Sequence, residues 1–88
     1  MPELRYQVEL AASARKEVRA LPREVLARVF PVLKELASTP RPAGSKKLIN
    51  HLNAWRVRIG DYRIVYTIDD KEGIVEVIRL AHRGDVYR

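Results

Sequence analysis

Between Trp55 and Ile59 arginine alternates with apolar residues, Trp55-Arg56-Val57-Arg58-Ile59, and after Gly60-Asp61 the alternation resumes as Tyr62-Arg63-Ile64-Val65-Tyr66. A period of two marks a strand with two unlike faces, so Arg56 and Arg58 leave one side and Trp55, Val57 and Ile59 the other. With Gly60 and Asp61 as a hairpin loop, Arg58 falls opposite Arg63 and Arg56 opposite Val65. A second turn over Asp69–Gly73 leads to the β-branched run Ile74–Leu80, and counting across it puts Arg79 beside Arg63 on the same face. Four guanidinium groups then converge. Like charges directly opposite one another destabilise a sheet, and the planar guanidinium fork suits phosphate, so the pattern predicts a site for a phosphate-bearing anion. The plainer alternative is a solvated outer face, which an antiparallel sheet permits.

Composition points the same way without deciding the matter. The 88 residues hold 17 Lys plus Arg against 11 Asp plus Glu, a formal charge of +6, and Arg outnumbers Lys by 12 to 5. With no Cys, disulfide scaffolds and thiolate metal sites are excluded, and two distant His predict no metal centre. The acids Asp69, Asp70 and Glu72 sit in a turn, where acids are ordinary. Charges at Glu3, Arg5, Glu9, Arg15, Lys16, Glu17 and Arg19 interrupt the first twenty positions, so neither a signal peptide nor a membrane span is expected. The expectation is a single domain over 1–88, cytoplasmic and without a cofactor.

These residues need a scaffold, and the rest of the chain predicts it. Tyr6, Val8 and Leu10 alternate with Gln7 and Glu9 as a first strand. Ser13 is placed to cap a helix running to about Leu21, and Pro22 ends it or opens the next. Leu26, Val29, Phe30, Leu33, Leu36 and Ala37 recur at helical spacing to about Ser38, with Pro31 predicting a kink or a break. Thr39–Ser45 is a surface connection, and Lys46–Asn53 reads as an irregular basic stretch. Trp55, Val57, Ile59, Ile64, Tyr66, Ile68 and Ile78 are assigned to the inner face, which Glu76 interrupts. Helices followed by strands predict an α+β domain, two N-terminal helices packed on a small antiparallel sheet.

The run Trp55–Tyr66, the pair Lys47-Leu48 and the ending His82-Arg83-Gly84-Asp85-Val86-Tyr87 together resemble RelE-type toxins of the RelE/ParE toxin–antitoxin superfamily, over essentially the whole chain. The resemblance implies a RelE-like fold and a ribosome-dependent endoribonuclease that cuts mRNA in the ribosomal A site. It also implies a cognate acidic, RelB-like antitoxin that silences the toxin, with operator DNA bound only through the antitoxin complex. Carried over by position, the catalytic set is Arg56, Arg58, Arg63, Arg83 and Tyr87. Lys46, Lys47, Arg79 and His82 are assigned to RNA binding.

Metal-independent RNA cleavage uses the substrate's 2′-hydroxyl as nucleophile, and it needs a base for that proton, cations for the phosphoryl oxygens and an acid for the departing 5′-oxygen. On the resemblance, Arg63 grips the scissile phosphate with Arg56 and Arg58, and Arg83 stands beside the leaving oxygen. Tyr87 stacks on a base, orients the 2′-hydroxyl or takes its proton. The best-known member of the family has lysines where this chain has Arg56 and Arg58. Because arginine keeps its charge in proteins, these two positions are left with electrostatic roles rather than proton transfer. His82 has a structural as well as a catalytic reading, and His51 reads as RNA-facing or merely exposed. The competing function on the same fold is a ParE-like toxin that inhibits DNA gyrase without catalysis.

Overall fold

The computed structural model describes residues 6–49 and 53–82. Its elements are β1 (Gln7–Leu10), α1 (Ala12–Arg19), α2 (Arg23–Glu35), β2 (Lys46–Lys47), β3 (Ala54–Ile59), β4 (Tyr62–Asp69) and β5 (Ile74–His82). The strands form one sheet in the order β1-β5-β4-β3-β2. Two helices on a small sheet is the expected α+β class, and β2 to β5 are antiparallel neighbours. The sheet as a whole is mixed, because β1 pairs with β5 in parallel. Continuity along one edge accounts for this. β1 covers Ile74–Val77, the Ala11 amide then bonds the Val77 carbonyl at 2.8 Å, and α1 continues along the remainder of β5 in the same direction.

The helices and the inner sheet face bury one apolar core. Ala14, Val29, Leu33 and Leu36 meet Val57, Ile64, Tyr66, Ile68, Val75, Val77 and Leu80. The α2 stripe lands as its spacing predicts, but Pro31 does not divide the helix, which runs unbroken through it. Pro31 and Ala27 are both exposed, so the carbonyl deprived of its partner lies on the side where water can reach it. Ser13 is not the cap of α1. Ala11 holds that position without a side-chain bond, while the Ser13 hydroxyl donates to the Ile78 carbonyl at 2.8 Å. Pro22 opens α2.

Two corrections fall on the sheet. Lys46 and Lys47 are not irregular but form a short strand, Lys46 opposite Arg56 and Lys47 opposite Trp55. Asn53, with a left-handed φ of 59°, reverses the chain, and the Leu48 amide bonds the Ala54 carbonyl at 2.8 Å. The second correction is a bulge in β5. Tyr66 pairs with Val77 but Val65 pairs with Arg79, so Ile78 is the extra residue. Ile78 therefore leaves the inner face, Val75 and Val77 take it, and Glu76 turns outward, exposed. The second turn is also one residue shorter than expected, since Asp69 pairs with Ile74.

Candidate functional site: a cationic sheet face

The outer face of the sheet carries two rows of cross-strand neighbours. One runs Lys46, Arg56, Val65, Arg79, and the next runs Arg58, Arg63, Ala81. The hairpin pairs, Arg58 with Arg63 and Arg56 with Val65, are those that the spacing predicts. Arg79 is on the predicted face but not beside Arg63. The bulge moves it to Val65, and Ala81 takes the place opposite Arg63.

A shallow groove of about 270 Å³ opens on this face, lined by Lys46, Lys47, Leu48, Ile49, Arg56, Arg63 and Val65. It gathers four of the predicted site residues. Arg63 is its buried member, 3% exposed, whereas Arg56 is half-buried and the two lysines are exposed. Packed on all sides, Arg63 has less freedom to change rotamer than the more exposed cations around it. Arg58 is exposed, directly across from Arg63. Leu48, Val65 and Ile49, the last 86% exposed, supply an apolar border that charge counting does not reveal. Such a border suits the flat face of a nucleobase next to cations that suit its phosphate.

Arg79 is turned to a different partner. Its Nε lies 2.8 Å from Glu17 Oε2, while the other carboxylate oxygen accepts the Leu80 amide at 2.6 Å. His82 pairs with Tyr62 and meets its ring edge-on at 5.4 Å. That register puts His82 on the same sheet face as Ile64, away from Arg63. Arg83 and Tyr87, assigned to catalysis, and His51 lie outside the described residues.

The lysine strand is held from its other side by a polar clamp that the sequence analysis missed. Arg41 Nη2 lies 2.8 Å from Asp70 Oδ2, the Tyr6 hydroxyl donates to Asp70 Oδ1 at 2.6 Å, and Arg41 stacks over the Trp55 ring at 5.2 Å. The Tyr66 hydroxyl donates to the Pro40 carbonyl at 2.9 Å. Together these tie the segment leading into Lys46 to β3, β4, the residue preceding β1 and the β4–β5 turn. Hydrogen bonds from Arg41 and then Tyr6 hold the Asp70 carboxyl below its usual range, and the bond to Asp70 raises the Tyr6 hydroxyl. Burial pushes the Tyr66 hydroxyl up. Sequence spacing carries no signal for Arg41 with Asp70, since the pair spans loops 29 positions apart.

Among the described residues no group of three or more His, Cys, Asp or Glu could hold a metal ion, and no helix is long and apolar enough to cross a membrane. What the face offers is fixed positive charge around a buried arginine, which can bind a phosphodiester and stabilise charge developing on its oxygens.

Comparison with known proteins places this arrangement in a class. The family model of the ParE toxin of the type II toxin–antitoxin system parDE matches residues 8–87, and the chain belongs to that family of toxins. Within it the likeness is to RelE-type members. Toxin RelE of Mycobacterium tuberculosis is 38% identical over 85 residues, covering 94% of this chain and 87% of the relative. Toxin RelG of the same organism is 32% identical over 84 residues, covering 94% and 97%. Among solved structures, the RelBE2 toxin–antitoxin complex of Mycobacterium tuberculosis aligns with a TM-score of 0.78 at 31% identity, over 90% of this chain and 99% of that one. The isolated RelE toxin of E. coli aligns with a TM-score of 0.79 at 28% identity, over 93% and 90%. The protein is thus a RelE-type toxin of a type II toxin–antitoxin system.

Proposed function

We propose that this toxin is a ribosome-dependent endoribonuclease that cleaves mRNA in the A site by attack of the substrate's own 2′-hydroxyl. The observation that carries the reading is the gathering of Lys46, Lys47, Arg56 and Arg63 around one groove, with Arg58 across from Arg63. In the proposed reaction the 2′-oxygen bonds to phosphorus and the bond from phosphorus to the 5′-oxygen breaks. The ends are a 2′,3′-cyclic phosphate and a 5′-hydroxyl. Arg63, preorganised by burial, binds the non-bridging oxygens as negative charge grows on them, and Arg56 and Arg58 extend that field. Lys46 and Lys47 hold the neighbouring backbone phosphates, with Arg79 further out on the same sheet face. Arg83 serves the leaving oxygen and Tyr87 the 2′-hydroxyl side, by likeness to the family. Arginine stays protonated near neutral pH, so the groove arginines supply electrostatics, and the proton lost by the 2′-hydroxyl and the one gained by the departing 5′-oxygen pass through Tyr87 or solvent.

The RelBE complexes among the structural neighbours support a RelB-like antitoxin as the silencing partner. An acidic, partly disordered segment that orders on binding suits a chain of charge +6. An apolar groove of about 400 Å³ between β1 and α2, lined by Val8, Leu10, Phe30, Leu33, Lys34 and Ala37, supports the same reading, as Phe30 is 55% exposed there. Operator DNA is bound through the antitoxin, and the toxin acts in the cytoplasm as a single domain.

The matching family model is described by a ParE toxin, which favours gyrase inhibition as the second reading. Programmed ribosomes with mRNA in the A site, incubated with the toxin and read by primer extension, separate the two when a gyrase supercoiling assay is run on the same sample. Ribosome-dependent cuts with supercoiling untouched support the nuclease, and the reverse supports the alternative.

A further inference from the structure

β5 is longer than the strand beside it. Among the described residues β1 pairs only with Ile74–Val77, and none of them forms a strand on that edge of β5 from Ile78 to His82, the stretch carrying Arg79 and, opposite Arg63, Ala81. An uncovered edge leaves amides and carbonyls without partners and frays. Here α1 takes the place of the missing strand through side chains. The Ser13 hydroxyl donates to the Ile78 carbonyl at 2.8 Å, at the bulge residue itself. Four residues on, one helical turn further, Glu17 accepts the Leu80 amide at 2.6 Å and holds Arg79 Nε at 2.8 Å. Ser13 and Glu17 thus bond residues 78, 79 and 80 in succession.

We propose that Glu17 is a positioning residue for the cationic site. It acts through Leu80 and Arg79 and touches no substrate. The bulge gives the end of β5 a register different from its start, and a bulged strand without an edge partner has a neighbouring register within reach. Slipping back by one residue would carry Arg79 from Val65 to Ile64, off the cationic face, and would take Ala81 from its place opposite Arg63. Glu17 fixes the register because its two oxygens bind groups from adjacent residues, Arg79 and Leu80, which a slipped strand cannot present together.

The proposal rests on the ribonuclease reading, and two readouts keep the two apart. The first is the cleavage rate on programmed ribosomes at saturating ribosome concentration, together with the concentration giving half that rate. The second is hydrogen exchange at the Leu80 amide in the free full-length chain, with Ile64 and Val57 as core controls. Glu17→Ala is expected to lower the saturating rate by about tenfold or more, as a misplaced site does, with the half-saturating concentration within about twofold. Leu80 exchange rises by at least about tenfold while the controls hold. Glu17→Gln keeps a side-chain carbonyl for the Leu80 amide but no acceptor for Arg79, and is expected to restore Leu80 protection and only part of the rate. If Glu17→Ala does not fold, Ser13→Ala, which removes only the bond to Ile78, is expected to show the same rate loss in weaker form. Cleavage by Glu17→Ala, or by Ser13→Ala in its place, at the wild-type rate overturns the proposal alone. A wild-type chain that cuts no mRNA overturns the ribonuclease reading, and the proposal with it.

Discussion

Arg58 on β3 stands directly opposite Arg63 on β4, and Arg63 is only 3% exposed. Two cations at paired positions repel, and burial of one weakens the screening that would make the repulsion harmless at a surface. An anion seated on this face offsets that cost. Sulfate or phosphate, compared with chloride at matched ionic strength, is therefore expected to raise the melting temperature, by about 4–8 °C for each kcal/mol of anion binding in a domain of this size. The gain should shrink in Arg58→Ala, where the pair is gone. Scanning calorimetry gives both numbers, and equal shifts in the two proteins would mean the anion sits elsewhere.

The cations differ in burial, and that predicts unequal roles. Arg63→Ala removes the preorganised charge and should lower the saturating cleavage rate by about 10²–10³, the scale of losing one aimed donor. Lys46→Ala removes an exposed backbone contact and should raise the half-saturating concentration, with the rate little changed. Single-turnover kinetics on programmed ribosomes separate the two effects.

The clamp of Tyr6, Arg41 and Asp70 predicts a window of stability in pH. Asp70 is held below its ordinary 3.8, so its contribution is present above that value and lost as pH falls through the lowered one. Tyr6 is raised above 10.0, so its contribution is complete below that pH and lost as pH rises through the raised value. Asp70→Asn should flatten the acid limb of a melting-temperature profile while leaving the core transition cooperative. An unchanged acid limb would show that the clamp adds nothing to stability.

Gly60 turns the hairpin with a φ of +59°, and a Cβ there would come within 2.6 Å of Arg28 Nη2. Gly60→Ala should cost about 1–2 kcal/mol from the backbone alone, with Arg28, the far end of a flexible side chain, moving aside. Chemical denaturation of the wild type and of Gly60→Ala, with Arg28→Ala as a second background, measures both parts. Equal stability of Gly60→Ala and wild type would contradict the left-handed turn.

The sequence was most legible where one local rule decided the outcome. Alternation and a two-residue turn fix the hairpin pairs of Arg56, Arg58 and Arg63, and helical spacing fixes the buried side of α2. Arg79 shows how such counting fails. The second turn is a residue shorter than Asp69–Gly73 suggests, which alone would point Arg79 into the core, and the bulge at Ile78 turns it outward again. Two compensating deviations left the face correct and the neighbour wrong. The sequence did carry a trace of this in Glu76, a charge discordant with the inner face, which a change of register explains and an unbroken strand does not. Glu17 and Asp70 were not legible at all, because their partners stand 29 to 64 positions away in the chain. The lysine strand escaped notice because two residues are too few to show a period.

In the proposed reaction the RNA's own 2′-hydroxyl attacks the adjacent phosphate while this cationic face stabilises the charge on its oxygens. Chemical analysis of the ends left on A-site mRNA after incubation of programmed ribosomes with the toxin tests it most directly. The expected ends are a 2′,3′-cyclic phosphate on the upstream fragment and a 5′-hydroxyl on the downstream one, both absent when ribosomes are omitted and strongly reduced with Arg63→Ala. Intact mRNA, or ends bearing a 3′-hydroxyl and a 5′-phosphate, would contradict it.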